Sequence, residues 1–477
     1  MGQLYSETLA LHGHTPWAYE AGEAYGVDDD PWSFLTYNPP AGIRGPLLAI
    51  LLGCIGLASY WGEATLARPM ALFSQGMVAL LGMVLFMGVF SAGTAIVFTR
   101  ECVLLVFFVT WIAASYPFVA YPQAVQQGLI TLLKLLLMAV VVLHAINGRR
   151  SYLWLMWAII IATVVASVGG ASGLARGGET VIVRGGVTQV YTRAVGLFGN
   201  PAGLGNLTCM ATWASIAIFF ITRNKAIKAA MIAFVVFCLI VIGAAGARQS
   251  YLGFFVIVMA TYWFMIRKLS TGASRKTLWL VLICVSMGAA LLYLTTTEHW
   301  GRVVRMFDTT GGQEFGESSA QARWELLWRS FRTALEYPIF GVGYNAIAAA
   351  YFTGVRMSAH DSLFKIAAET GFVGWGLFFG AWFLMLLRIR KAERLPLPRA
   401  DRVLLLNSWP LHSFFLVMTP LVDLTYYKVF WALMAANLGY VVWLERTYGS
   451  TAYSSASSEA VEADTVYPSP VGPSEAV

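Results

Sequence analysis

Runs of about 20 apolar residues recur along most of this chain, and that recurrence leaves it few possible folds. Each run is long enough for an α-helix to cross the roughly 30 Å of bilayer hydrocarbon, and none alternates polar with apolar residues as a membrane β-barrel strand does. With 58% of its 477 residues hydrophobic and 12% charged, the chain falls outside the soluble enzymes, which carry roughly a quarter of charged residues. The expected fold class is all-α: a polytopic membrane protein with about 12 transmembrane helices and a large, partly helical periplasmic loop.

The spans fall near residues 45–62, 70–98, 102–121, 128–146, 151–172, 203–222, 229–246, 250–266, 277–296, 372–387, 403–421 and 429–444. Charge orients them. The short connections holding Arg149 and Arg150, then Arg223, Lys225 and Lys228, then Arg267, Lys268, Arg275 and Lys276, and last Arg388 to Arg402, all fall on one side of an alternating twelve-span arrangement. The positive-inside rule makes that side cytoplasmic. Both termini are then expected inside, and Gly173 to Ala202, the short turn Ala247 to Ser250 and the large segment Thr297 to Thr370 face outward. The regions read as a cytoplasmic N-terminal extension (1–44), nine spans (45–296), a periplasmic catalytic loop (297–371), three spans (372–444) and a disordered cytoplasmic tail (445–477) rich in Ser, Ala, Glu and Pro. The polar, acidic first 44 residues do not read as a cleavable signal, so the first span is expected to direct its own insertion.

Composition narrows the chemistry. All five cysteines (Cys54, Cys102, Cys209, Cys238 and Cys284) lie in or at the edge of apolar runs, with neither a disulfide framework nor a metal spacing. The net charge of +7 is spread between the spans, where topology accounts for it, and no nucleic-acid partner is expected. The outer carboxylates match no calcium loop and no second histidine makes a zinc pattern, so neither a metal nor an organic cofactor is expected.

Inside the large outer segment, "SSAQARWELLWRSFRTALEYP" reads as one helix. Trp324, Leu327, Trp328, Phe331 and Leu335 recur at helical spacing until Pro338 stops them, with Arg323 and Arg332 at the edges of the stripe. Such a helix lies flat at the membrane surface, as an anchor or as a wall for a lipid-linked substrate.

Three charged positions gather on the outer side. Arg193 sits in the glycine-broken "TRAVGLFGNPAG", Arg248 occupies a turn with almost no loop, and His360 opens "SAHDSLFKIAAETG" just before a span. Charge at membrane depth is costly and tends to be kept for a partner. A planar guanidinium suits a phosphate oxygen, although an arginine at this depth can also snorkel to lipid headgroups. With Asp361 placed to cap the following helix, the helix dipole keeps His360 neutral, ready to accept a proton from a hydroxyl; a lone surface histidine is the plainer alternative.

The histidine followed by Leu363, Glu369, Gly371 and Gly374, the preceding "ARWELLWRSFRTALEYPIFGVGYN" with Pro338, Gly341 and Gly343, and the arginines Arg193 (with Asn200 and Pro201) and Arg248 together resemble the O-antigen ligase and polymerase superfamily over about Arg193 to Gly374. Asp361 stands where that family often has Asn, and Ala247 where Ser is frequent. The resemblance implies transfer of a glycan from undecaprenyl diphosphate to an acceptor hydroxyl on the outer face of the bacterial inner membrane. It implies His360 as base and Arg193 and Arg248 as stabilisers of the leaving diphosphate. Arg305, Arg323, Asn200, Asp361 and Glu369 are implied as substrate-binding residues. The implied partners are the undecaprenyl-diphosphate-linked glycan donor, a lipid A-core or growing glycan acceptor, and membrane lipid. Ligation to lipid A-core is the leading expectation, with glycan polymerisation or protein O-glycosylation as alternatives within the superfamily. A secondary transporter or lipid flippase is a more distant alternative, disfavoured because the charges gather on one face.

Overall fold

The computed structural model describes residues 98–175, 179–184, 187–192, 201–245, 247–269, 317–347 and 361–465. The expected spans 45–62 and 277–296, and all but the last residue of 70–98, lie outside the described residues. Among the described residues seven helices are long and apolar enough to cross a membrane, and each coincides with an expected span.

Local chemistry sets where these helices begin and end. Helix α1 (Arg100–Ser115) starts after Thr99, whose hydroxyl accepts from the Cys102 amide at 3.4 Å, and passes into a 3-10 turn at Tyr116–Phe118, where Pro117 lies. Helix α2 (Pro122–Ala145) opens on a proline, the residue whose missing N–H costs nothing at a first helical position. Helix α3 (Arg149–Ala175) follows; α4 (Pro201–Ile221) again opens on proline, and α5 (Lys225–Ala245) leads to α6 (Arg248–Thr261), which continues through a π-helical turn at Tyr262–Ile266. Beyond it come α7 (Glu317–Glu336), α8 (Leu363–Ala392), α9 (Arg399–Leu406), α10 (Ser408–Met418) and α11 (Lys428–Thr465).

Three expectations change and one feature is added. The helical class holds, with strands β1 (Glu179–Arg184) and β2 (Val187–Thr192) paired antiparallel between α3 and α4, Glu179 opposite Thr192. The β-branched run "TVIV", with Gly185 and Gly186 between the strands, supplies strand propensity and a two-residue connection. The span expected at 403–421 is two helices broken at Asn407. Pro410 has no N–H to give the Leu406 carbonyl, and Asn407 turns instead to Trp213, whose indole donates to the Asn407 carbonyl at 2.6 Å. The span expected at 372–387 starts earlier, at Leu363, through a kink described below. Helix α11 also runs on to Thr465, through a segment expected to be irregular, because "SSASSEAVEA" offers good helix formers between its serines.

Helix α4 lies at the centre, with most of its span buried, whereas α1 and α5 show most of theirs outward. Antiparallel α1 and α8 pack together, as do α2 with α11 and α6 with α10. Helix α7 packs on the start of α8 through small residues: Ala334 meets Ala367 and Ala368, and Ser330 and Thr333 are buried beside them. Small side chains let the two backbones approach closely. Trp324, Trp328 and Leu335 of the predicted apolar stripe are exposed, as a membrane-surface helix needs, while Phe331 of the same stripe meets Phe364 of α8 with ring centroids 5.1 Å apart.

Candidate active site

The start of α8 is held in a cradle made by the segment after α7. Gly371 interrupts α8 with φ 69° and ψ 176°, so the carbonyls of Ala368 and Glu369 lose their helical partners. They accept instead from Val342 N at 2.9 Å and Gly343 N at 3.1 Å, while Phe372 N turns to the Pro338 carbonyl at 2.8 Å. The fit leaves no room for a side chain. A Cβ on Gly371 would lie 1.9 Å from the Ile339 oxygen, and one on Gly341 would lie 2.3 Å from the Glu369 carbonyl carbon. Gly341, Gly343 and Asn345 all have positive φ, so the loop curls back on itself and presents the Ile347 amide to Glu369 Oε1 at 3.3 Å. Pro338, Gly341, Gly343, Glu369 and Gly371, noted in the sequence as separate landmarks, are thus two halves of one interlock.

The residues just after His360 are tied down on both sides. Asp361 Oδ1 accepts from the Phe364 and Lys365 amides, each at 2.9 Å, and its Oδ2 accepts from Ser330 of α7 at 3.3 Å. Asp361, not Ser362, caps α8. Ser362 binds the opposite neighbour: its amide donates to Thr419 O at 2.6 Å, its hydroxyl to Val422 O at 2.7 Å, and it accepts from Leu424 N at 2.5 Å. Lys365 pairs with Asp423 from that same segment, lies 4.6 Å over the Tyr426 ring and 4.0 Å from Glu369 Oε1. Asp361, Lys365 and Glu369 are respectively 3%, 3% and 1% exposed.

Four described elements meet at one end of the bundle. The N-terminal half of α4 touches the first turn of α6: Cys209 Sγ donates to Ser250 O at 3.2 Å, and a Cβ on Gly205 would meet Ser250 Oγ at 2.0 Å. Gly253 of α6 is so close to Phe414 and Met418 of α10 that a Cβ would meet them at 2.5 and 2.7 Å. The end of α10 in turn reaches Ser362 through Thr419. The starts of α4, α6 and α8 therefore share one end, each presenting the positive pole of its helix dipole there. Arg248 is the first residue of α6, Asn200 immediately precedes α4, and His360 precedes α8 by three residues. Arg193, Asn200, Arg305 and His360 lie outside the described residues; Arg248 and Arg323 are placed by their helices, in α6 and α7.

The far end of the bundle carries the basic connections. Lys268 pairs with Glu393, Arg149 lies 3.9 Å from Asp401, and Arg388 grips Glu101 at 2.8 and 3.2 Å while reaching Glu445 at 2.5 Å. Basic connections that the charge rule assigned to one face thus meet in space.

Residues 202–379 match the family model described as O-antigen ligase. The match supports the O-antigen ligase and polymerase superfamily for this segment. A comparison with curated proteins finds no match. The O-antigen ligase segment opens in α4 and closes within α8, so it contains the interlock, Arg248, His360 and the α7 helix, but neither Arg193 nor Asp423. Sequence reading passed over Lys365, Asp423, Ser362 and Ser330. Lys365 stood in view beside His360, but Asp423 is a lone acid in "PLVDLTYYK", and nothing local assigns it a partner 58 residues away. Among the described residues of the ligase segment and beyond it, no three His, Cys, Asp or Glu side chains gather as metal ligands.

Burial pushes the Asp361 carboxyl up to about 6, against the lowering effect of the Lys365 and Phe364 amides and the Ser330 hydroxyl. A carboxyl raised above its unfolded value of about 4 holds its proton more tightly in the folded protein. The fold therefore loses stability as pH rises from about 4 through about 6, and stays lower above that. Asn at this position keeps an amide oxygen for the cap without the charge. Asp361→Asn is expected to gain on the parent by about 2–3 kcal/mol between about pH 4 and about pH 7, read from thermal unfolding in detergent. A gap that stays constant with pH would show that this carboxyl does not titrate in the fold.

Proposed function

We propose that this protein is a metal-independent, inverting glycosyltransferase of the bacterial inner membrane. It moves a glycan from undecaprenyl diphosphate to an acceptor hydroxyl on the periplasmic face, and lipid A-core is the leading acceptor. The observation that carries the reading is the convergence of the α4, α6 and α8 starts at the bundle end opposite the basic connections, within a segment that matches the O-antigen ligase family.

In the proposed reaction the acceptor O–H gives its proton to the neutral imidazole of His360. The freed oxygen bonds to the anomeric carbon from the face opposite the carrier. The bond from that carbon to the bridging oxygen breaks, and its electron pair leaves on the diphosphate. Arg193 and Arg248 take up the charge that develops there, a task suited to fixed guanidiniums in a water-poor site. Arg305 and Arg323 assist at the carrier phosphates, and Asn200 orients the loop between Arg193 and α4. Asp361 and Glu369 hold the frame: one caps the histidine-bearing helix, the other anchors the 341–347 turn. The exposed tryptophans of α7 lie against lipid and form a wall beside the polyprenyl chain.

The reading is tested by presenting purified protein in lipid nanodiscs with a polyprenyl-diphosphate glycan and, in parallel, lipid A-core, a second copy of the glycan carrier and a pilin-like protein. The expected result is glycan on lipid A-core, unchanged by EDTA. Product on the carrier or on protein instead would assign the polymerase or protein-glycosylating reaction. Movement of the carrier across the bilayer without any glycosidic product would replace the enzyme by a flippase.

A further inference from the structure

We propose that Lys365 and Asp423 are positioning residues that fix the bearing of His360, the inference resting on the reading of that histidine as the base. The pair sits at the junction of two chain segments: Lys365 is buried, 3% exposed, in the first turns of α8, and Asp423, half-buried, lies in the connection from α10 to α11. That connection has only a 3-10 turn at Leu424–Tyr426, so it meets α8 at polar points and not along a packed helix face. Those points are Ser362 with Thr419, Val422 and Leu424, and Lys365 with Asp423.

Around the ammonium the structure closes fully. Tyr426 lies under it, Glu369 stands at 4.0 Å, and Asp423 is held in turn by the Thr425 amide at 3.2 Å. Glu369 Oε2 is buried with no hydrogen-bond partner, so the cluster holds more acceptors than its single ammonium satisfies. A buried ion pair of this kind is a poor device for stability, since well-packed apolar residues often serve as well. What it adds is register. Together with the Asp361–Ser330 bond from α7, it clamps the first turns of α8 from two sides, and His360 is the next residue in the sequence before Asp361. Loss of the pair would leave the donor site intact and misdirect the imidazole, and misdirection of a base is felt in kcat more than in binding.

The test compares the parent, His360→Ala, Asp423→Glu and the double replacement Lys365→Met with Asp423→Leu in nanodiscs, with transfer kinetics and thermal unfolding measured for each. The double variant should keep its unfolding midpoint and its KM for the lipid-linked donor within about threefold while kcat falls by at least about tenfold. Asp423→Glu keeps the charge one methylene further out; if the double variant does not fold, this variant decides. A kcat reduced at unchanged KM supports the clamp, and a parental kcat overturns it. A parental kcat in the folded double variant, or a KM rise that accounts for the whole loss, also overturns it. An active His360→Ala would remove the base reading itself, whatever the clamp variants do.

Discussion

His360→Ala is expected to remove measurable glycan transfer, a loss of at least about 10²–10⁴-fold, with the protein folded and still able to bind the lipid-linked donor. The size follows from the role: without a base, the acceptor hydroxyl must attack while still carrying its proton. The helix that follows is held by Asp361, Ser362 and the Gly371 interlock, all of which the variant leaves in place. Transfer rates from purified protein in nanodiscs, alongside a thermal unfolding curve, check both halves of the expectation. Parental turnover by this variant would end the base assignment.

Arg248→Lys is expected to lower kcat by about 10²–10³-fold, although the charge is kept. Arg248 is the first residue of α6, at a site where α4 presses so closely that Gly205 has no space for a side chain. A lysine there offers a single mobile ammonium in place of a planar fork, so it can meet one diphosphate oxygen but cannot clasp two at fixed geometry. The comparison to make is kcat with a diphosphate-linked donor for the parent, the Lys variant and Arg248→Ala. A Lys variant that works as well as the parent would show that charge alone suffices and that no bidentate contact is made.

The membrane spans were legible because hydropathy and positive charge are properties of short windows. All seven spans of the described residues overlap expected ones, although the last begins nine residues early at Leu363, and the ion pairs Lys268–Glu393 and Arg149–Asp401 join basic connections that the charge rule had already grouped. What stayed hidden depended on partners far along the chain. The 403–421 run looks continuous until Asn407 finds Trp213, and the extension of α8 back to Leu363 makes sense only once Pro338, Val342 and Gly343 are seen taking over the bonds that Gly371 releases. The strand pair was missed because loops were read for charge and not for β-branched runs.

For the candidate site, residue types pointed to the chemistry, and the sequence read outward from His360 named Asp361 and Glu369. In the fold both are buried and accept from backbone amides, contacts that the sequence pattern did not reveal. Asp423 could not be chosen from sequence over the other outer acids. Its importance comes from Lys365, and that pairing exists only in the fold.

The interlock of Gly371 with the turn after α7 has a mechanical consequence. Pro338 follows α7 by two residues and holds Phe372, while Ser330 within α7 holds Asp361. Helix α7 and the start of α8 are therefore joined at two separated points, so that neither can tilt without carrying the other.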